Sequence, residues 1–158
     1  VAMKGGIPVL AITLPLKKPA NKPQADPKVE LTLPVMQDME LAATKTAEVV
    51  ANRMGLDEMK TAEINMALIE ACINAFEHSK TKDNVFITYI IEGDTLVIKV
   101  GDKGKGFDSE VVAIPNIDEK IKSEHKRGWG IQLMKELMDT VKFETTEDGT
   151  TVTMTKSK

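Results

Sequence analysis

Glu70, Asn74 and His78 follow one another at four-residue intervals in the segment Glu70-Ala-Cys-Ile-Asn74-Ala-Phe-Glu77-His78. On a helix of 3.6 residues per turn, that spacing sets a carboxylate, an amide and an imidazole along one slowly drifting stripe. Ile64, Leu68, Ala71, Cys72 and Ala75 make the rest of the same segment apolar. A helix bound for an interior does not carry such groups in register unless something is seated against them. Two glycine patterns stand farther along, Asp102-Lys-Gly104-Lys-Gly106 after an apolar strand-like run and Gly128-Trp-Gly130 before a helical one. Glycine lets the backbone turn at positive φ and approach a ligand closely. Free N–H groups at a helix start form an anion site. Each pattern alone has a plainer reading: a polar helix surface, a tight turn, an ordinary helix opening. Neither glycine pair is the dinucleotide fingerprint of a βαβ unit, and neither is a P-loop, because no Gly-Lys-Ser/Thr follows a strand.

The elements that must position these groups can be read from periodicity. Residues 17–28 carry three prolines and no large apolar side chain, the composition of a linker. Val29-Glu-Leu-Thr-Leu33 alternates as a half-buried strand does, and Pro34 ends it. Met36, Met39, Ala43, Ala47, Val50 and Met54 share one helical face over 36–54, with Gly55 as the stop. Asp57 caps a second helix that carries the polar stripe and runs to Ser79. Val85 to Ile91 and Leu96 to Val100 form a hairpin about Glu92-Gly93-Asp94. After a polar loop over 109–126, Arg127-Gly128-Trp129-Gly130 opens a helix over Ile131 to Thr140, with Leu133, Met134, Leu137 and Met138 inward. Strands Val141 to Thr145 and Thr150 to Thr155 close the chain around Asp148-Gly149. This order predicts an α+β fold, a mixed or antiparallel sheet with helices on one face.

Composition narrows the function classes. The chain has 158 residues, 42% apolar and 28% charged, enough for one ordinary core. We divide it into an arm and linker over 1–28 and one domain over 29–158. A net charge of −3 without a basic cluster argues against a nucleic-acid binder. Cys72 is the single cysteine, which suits a reducing cytoplasm, and two distant histidines do not make a zinc site. The apolar run Ile7 to Leu16 holds two prolines and is about half the roughly 20 residues of a spanning helix. Lys17-Lys18-Pro19 after it is no signal cleavage site. We read the run as an extended arm and expect no membrane segment. Cys72 and the nine methionines are expected to fill the core.

Taken together and in order, the three patterns resemble the boxes of the Bergerat-fold ATPases, the superfamily of histidine kinases, gyrase and MutL. Glu70-x-x-x-Asn74 with His78 is similar to their N box, Asp102-x-Gly104-x-Gly106 to their first glycine box and Gly128-x-Gly130 to their second. Within the superfamily, the chain resembles the small bacterial anti-sigma-factor serine/threonine kinases. The likeness rests on Gly106-Phe107-Asp108, on Arg127-Gly-Trp-Gly-Ile-Gln-Leu-Met-Lys-Glu-Leu-Met-Asp-Thr-Val141, and on a strand and helix directly before the N box. It covers residues 29 to 156 and implies a Bergerat-type two-layer sandwich.

The resemblance also implies roles. Glu70 is the catalytic base that takes the proton of an attacking hydroxyl. Asn74 is the Mg²⁺ ligand, an oxygen donor of the hard kind that ion accepts beside phosphates and water. Asp102 takes the adenine amino group, Gly104 and Gly106 let the base lie close, and Gly128 and Gly130 bind phosphate. Lys126 and Arg127 supply positive charge to the phosphates. Some relatives carry arginine two residues before the first glycine of the second box, where this chain has Lys126, so either side chain could reach the γ-phosphate. His78 lies near the nucleotide or bonds the helix end, residues 107–126 form a lid, and His125 in it is solvated. ATP and Mg²⁺ are the implied cofactors, and a STAS-type anti-anti-sigma protein, a sigma factor and a second copy of the chain the implied partners. The alternatives are an ATP-holding interaction module without transfer activity and the catalytic domain of a two-component histidine kinase. Against the latter, residues 1–35 offer no dimerising helix and no histidine.

Overall fold

The computed structural model describes residues 24–78, 84–102 and 125–158, without the side chains of 125–128. Residues 1–23 of the arm, Gly104, Gly106 and the lid up to residue 124 lie outside that description. The element order is β1 (Lys28–Leu33), α1 (Met39–Met54), α2 (Glu58–His78), β2 (Val85–Glu92), β3 (Thr95–Gly101), α3 (His125–Leu137), β4 (Thr140–Thr146) and β5 (Gly149–Ser157). The strands make one sheet in the order β1-β2-β3-β5-β4, every neighbouring pair antiparallel. The expected α+β fold with helices on one face is therefore found, with an antiparallel rather than a mixed sheet.

Local chemistry explains the helix boundaries. Asp38, left-handed at φ 66°, breaks the backbone before Met39, so α1 starts three residues later than its apolar spacing predicts. Gly55 ends it at φ 79°, with its N–H donating to Ala51 and Asn52 and the Leu56 N–H donating to Ala51. The Asp57 carboxylate accepts the Lys60 N–H at 2.7 Å, which is the expected cap of α2.

The third helix differs most from expectation. It begins at His125, not Ile131, and Gly128 and Gly130 lie within its first two turns. It ends at Leu137 because Thr140 already pairs with Thr155 in the sheet. Each glycine costs about 1 kcal/mol against alanine in a helix interior, so local propensity places the start after them. Packing of α3 on α2 overrides that preference.

The core lies between the helices and the sheet. Ala43, Ala47, Ile64, Leu68, Ala71 and Cys72 from α1 and α2 meet Ile87, Tyr89, Leu96, Ile98, Val152 and Met154 from the strands. Tyr89, fully buried, donates its hydroxyl to the Ala43 carbonyl at 2.7 Å and so ties β2 to α1. Cys72 is core, as expected. The methionines divide: Met134, Met138 and Met154 are buried, whereas Met36, Met59 and Met66 are exposed. Among the described residues, no helix is long and apolar enough to cross a membrane.

Candidate active site

The polar stripe lies on the second half of α2. Glu70 and Asn74 are half-buried, and His78, the last residue of the helix, is exposed and engaged in an interaction of its own. The side of α2 around Ile64, Ala67, Leu68, Ala71 and Cys72 is committed to the core, which leaves the stripe along the margin where α3 packs. Among the described residues, no hydrogen bond or ion pair engages the Glu70 carboxylate or the Asn74 amide. Both groups are thus held by a packed helix with their bonding capacity unspent among the described residues.

Across from Glu70 stands α3. A Cβ built on Gly130 would lie 2.6 Å from Glu70 Oε2, closer than side-chain atoms tolerate, so the carboxylate occupies the space that glycine leaves open. The structure thus brings Glu70 and Gly130 together. Gly128 is the fourth residue of α3, just past the N–H groups of the helix start that have no intrahelical acceptor. Gly130 lies two residues further in, where its N–H also belongs to the helix ladder. The side chains of His125, Lys126 and Arg127 lie outside the described residues, and their backbone opens α3.

Asp102 directly follows β3, and its Oδ1 accepts the Thr150 N–H at 3.1 Å. Gly149, at φ 148°, precedes that amide, and a Cβ there would run into the same carboxylate oxygen. One oxygen of Asp102 is therefore fixed by β5, and no hydrogen bond among the described residues engages the other. Gly149 and Thr150 were not singled out from the sequence, where Asp148-Gly149 reads only as a hairpin turn. They reach Asp102 through the β3–β5 pairing, which sets Gly101 opposite Thr151. No local pattern announces that register.

Among the described residues, no group of three or more His, Cys, Asp or Glu could hold a metal ion. A single half-buried amide oxygen is still a fitting donor for Mg²⁺, which keeps several waters and takes most other ligands from phosphate. Asn74 meets that requirement. Lys156, by contrast, is structural. From β5 its ammonium reaches Glu63 of α2 at 2.7 Å and donates to the Leu137 carbonyl at the end of α3 at 2.6 Å.

Comparison with known proteins agrees with this geometry. The histidine kinase-like ATPase domain matches residues 35–156. The chain is 30% identical over 135 residues to the serine-protein kinase RsbW of Bacillus cereus (strain ATCC 10987 / NRS 248), covering 82% of this chain and 84% of the relative. It is 31% identical over 137 residues to the serine-protein kinase RsbW of Bacillus pumilus (strain SAFR-032), covering 81% and 84%. Its fold is similar to the RsbU and RsbW domains of a Mycobacterium tuberculosis protein, with a TM-score of 0.61 at 20% identity over 83% of this chain and 32% of that one. It is also similar to a chain of the SiaB–SiaC complex of Pseudomonas aeruginosa, with a TM-score of 0.51 at 8% identity over 81% and 88%. A match over most of the domain, with the N box on α2 and the second glycine box on α3 facing each other, decides the family: the chain belongs to the histidine kinase-like ATPase domain family and, within it, to the serine-protein kinases of the RsbW kind.

Proposed function

We propose that this protein is an ATP-dependent serine/threonine kinase and anti-sigma factor. It phosphorylates a STAS-type anti-anti-sigma protein and, in the alternative state of a partner switch, sequesters a sigma factor. The observation that carries the reading is the half-buried Glu70 carboxylate, one helical turn from Asn74 and without a protein partner among the described residues.

Phosphoryl transfer demands positioning and charge stabilisation more than covalent chemistry from the protein. Glu70 takes the proton from the attacking serine or threonine hydroxyl, a role open to a carboxylate whose lone pairs are not already engaged. Asn74 holds Mg²⁺, which when bound neutralises charge on the phosphates. Asp102, oriented through Oδ1 by the Thr150 N–H, offers its second oxygen to the adenine amino group. Gly104 and Gly106 leave room for the base, and the first turn of α3, ahead of Gly128, presents free N–H groups to phosphate. Lys126 or Arg127 adds a cation at the β- and γ-phosphates. His78 stands at the end of the same stripe and borders the nucleotide. The active unit is a homodimer working in the cytoplasm.

Incubation with Mg-ATP and a STAS domain from the same cell tests the claim. Intact-mass analysis should find the STAS domain heavier by one phosphoryl group, on a serine or threonine. Stoichiometric ATP binding with no transfer to that partner would sink the kinase reading.

A further inference from the structure

We infer that Gly130 is a positioning residue: its missing side chain is the seat of the Glu70 carboxylate, and the space, not a phosphate-binding N–H, is why glycine stands there. The inference deepens the kinase reading and rests on it for the role of Glu70. Three observations carry it. Gly130 is buried where α3 packs on α2. It lies in the second turn of α3, where its N–H has an acceptor inside the helix, and it shows no positive φ that would demand glycine. The three nearest atoms a Cβ would meet belong to Glu70: Oε2 at 2.6 Å, Cδ at 3.5 Å and Cβ at 3.9 Å.

The steric consequence is selective. Only the far end of a flexible side chain lies too close, so the fold can absorb an alanine by letting the carboxylate withdraw roughly 1 Å to ordinary contact distance. Alanine is also the better helix former. The substitution should therefore leave the fold as stable as before, or more so, while moving the base away from the hydroxyl it must meet. Misplacement on the order of 1 Å is enough to cost about a hundredfold in rate.

The full-length chain is compared with Gly130→Ala, with Glu70→Asp and with the double variant. For Gly130→Ala we expect the single-turnover rate to a STAS domain to fall by roughly ten- to a hundredfold. ATP affinity by calorimetry should stay within about threefold, and the melting midpoint should hold or rise. The ¹³C resonance of the Glu70 side-chain carboxyl should shift. In the Glu70→Asp background, whose shorter side chain vacates the contested space, Gly130→Ala should cost transfer nothing further. The inference is overturned if Gly130→Ala transfers at the wild-type rate, loses ATP affinity in step with rate, or leaves the Glu70 resonance in place. A wild-type chain that phosphorylates no STAS domain strikes the kinase reading instead. The carboxyl resonance then still decides whether Gly130 sets the position of Glu70.

Discussion

Two carboxylates of the site differ in what already holds them, and the difference divides their work. Asp102 is pinned through one oxygen by a β5 amide, which suits a residue that orients a base. Glu70 has no such tether among the described residues and lies in the space that Gly130 leaves open, which suits a proton acceptor. Changing Asn74 to Ala should raise the Mg²⁺ concentration needed for half-maximal transfer by about tenfold, the usual cost of losing one hydrogen-bond-strength contact, and an Mg²⁺ titration at fixed ATP checks it. Cys72 makes a different prediction. Burial, with the Glu40 carboxylate adding to it, pushes its thiol up to about 12 from the ordinary 9.0. A raised folded-state value means that the stability it contributes is fully present below about 9 and is lost as pH climbs toward 12. Urea midpoints should therefore be flat below pH 8 and decline above pH 9, and a thiol reagent at pH 8 should modify Cys72 no faster than the chain unfolds. Glu70 and Asn74 were legible in the sequence because one helix carries both. Gly149 and Thr150 were not, because 48 residues separate Thr150 from the carboxylate it orients.

At the scale of elements, the site depends on how α2, α3 and β5 are locked together. Lys156 is the tie: one buried ammonium joins Glu63 on α2 to the C-terminal carbonyl of α3 and lies near Asp139. Lys156→Ala strands that carbonyl and leaves Glu63 without its partner. It should cost about 1–3 kcal/mol of stability, read from urea unfolding. Gly149→Ala acts on the other side of the site. It imposes a side chain where φ is positive and pushes on Asp102, so ATP affinity should fall by about tenfold or more together with some stability. Calorimetry separates that from Gly130→Ala, which spares affinity. The elements themselves were legible wherever period and punctuation agreed, as at Asp57, Gly55 and the Val85–Val100 hairpin. The start of α3 was not, since Gly130, which opposes a helix locally, is retained there by packing against Glu70.

At the scale of the whole molecule, a single antiparallel sheet carries its helices on one face and leaves the other to Phe86, Thr88, Ile90, Val97 and a row of threonines on β5. The α+β class followed from the order of elements, but the strand order β1-β2-β3-β5-β4 did not, because insertion of β5 between β3 and β4 depends on pairings remote in sequence. Three boxes in order carried the family, since their spacing reports a nucleotide site rather than a fold period. Sedimentation of the purified chain should give twice the monomer mass, and a monomer at micromolar concentration would overturn the proposed homodimer. In the proposed reaction Glu70 is the base for transfer from ATP to a STAS-domain hydroxyl. Its most direct test is the single-turnover rate of phosphoserine or phosphothreonine formation at saturating Mg-ATP, for the wild type and Glu70→Gln. Glu70→Gln should lose roughly 10²–10⁴-fold in rate at unchanged ATP affinity. Transfer by Glu70→Gln at the wild-type rate would contradict it.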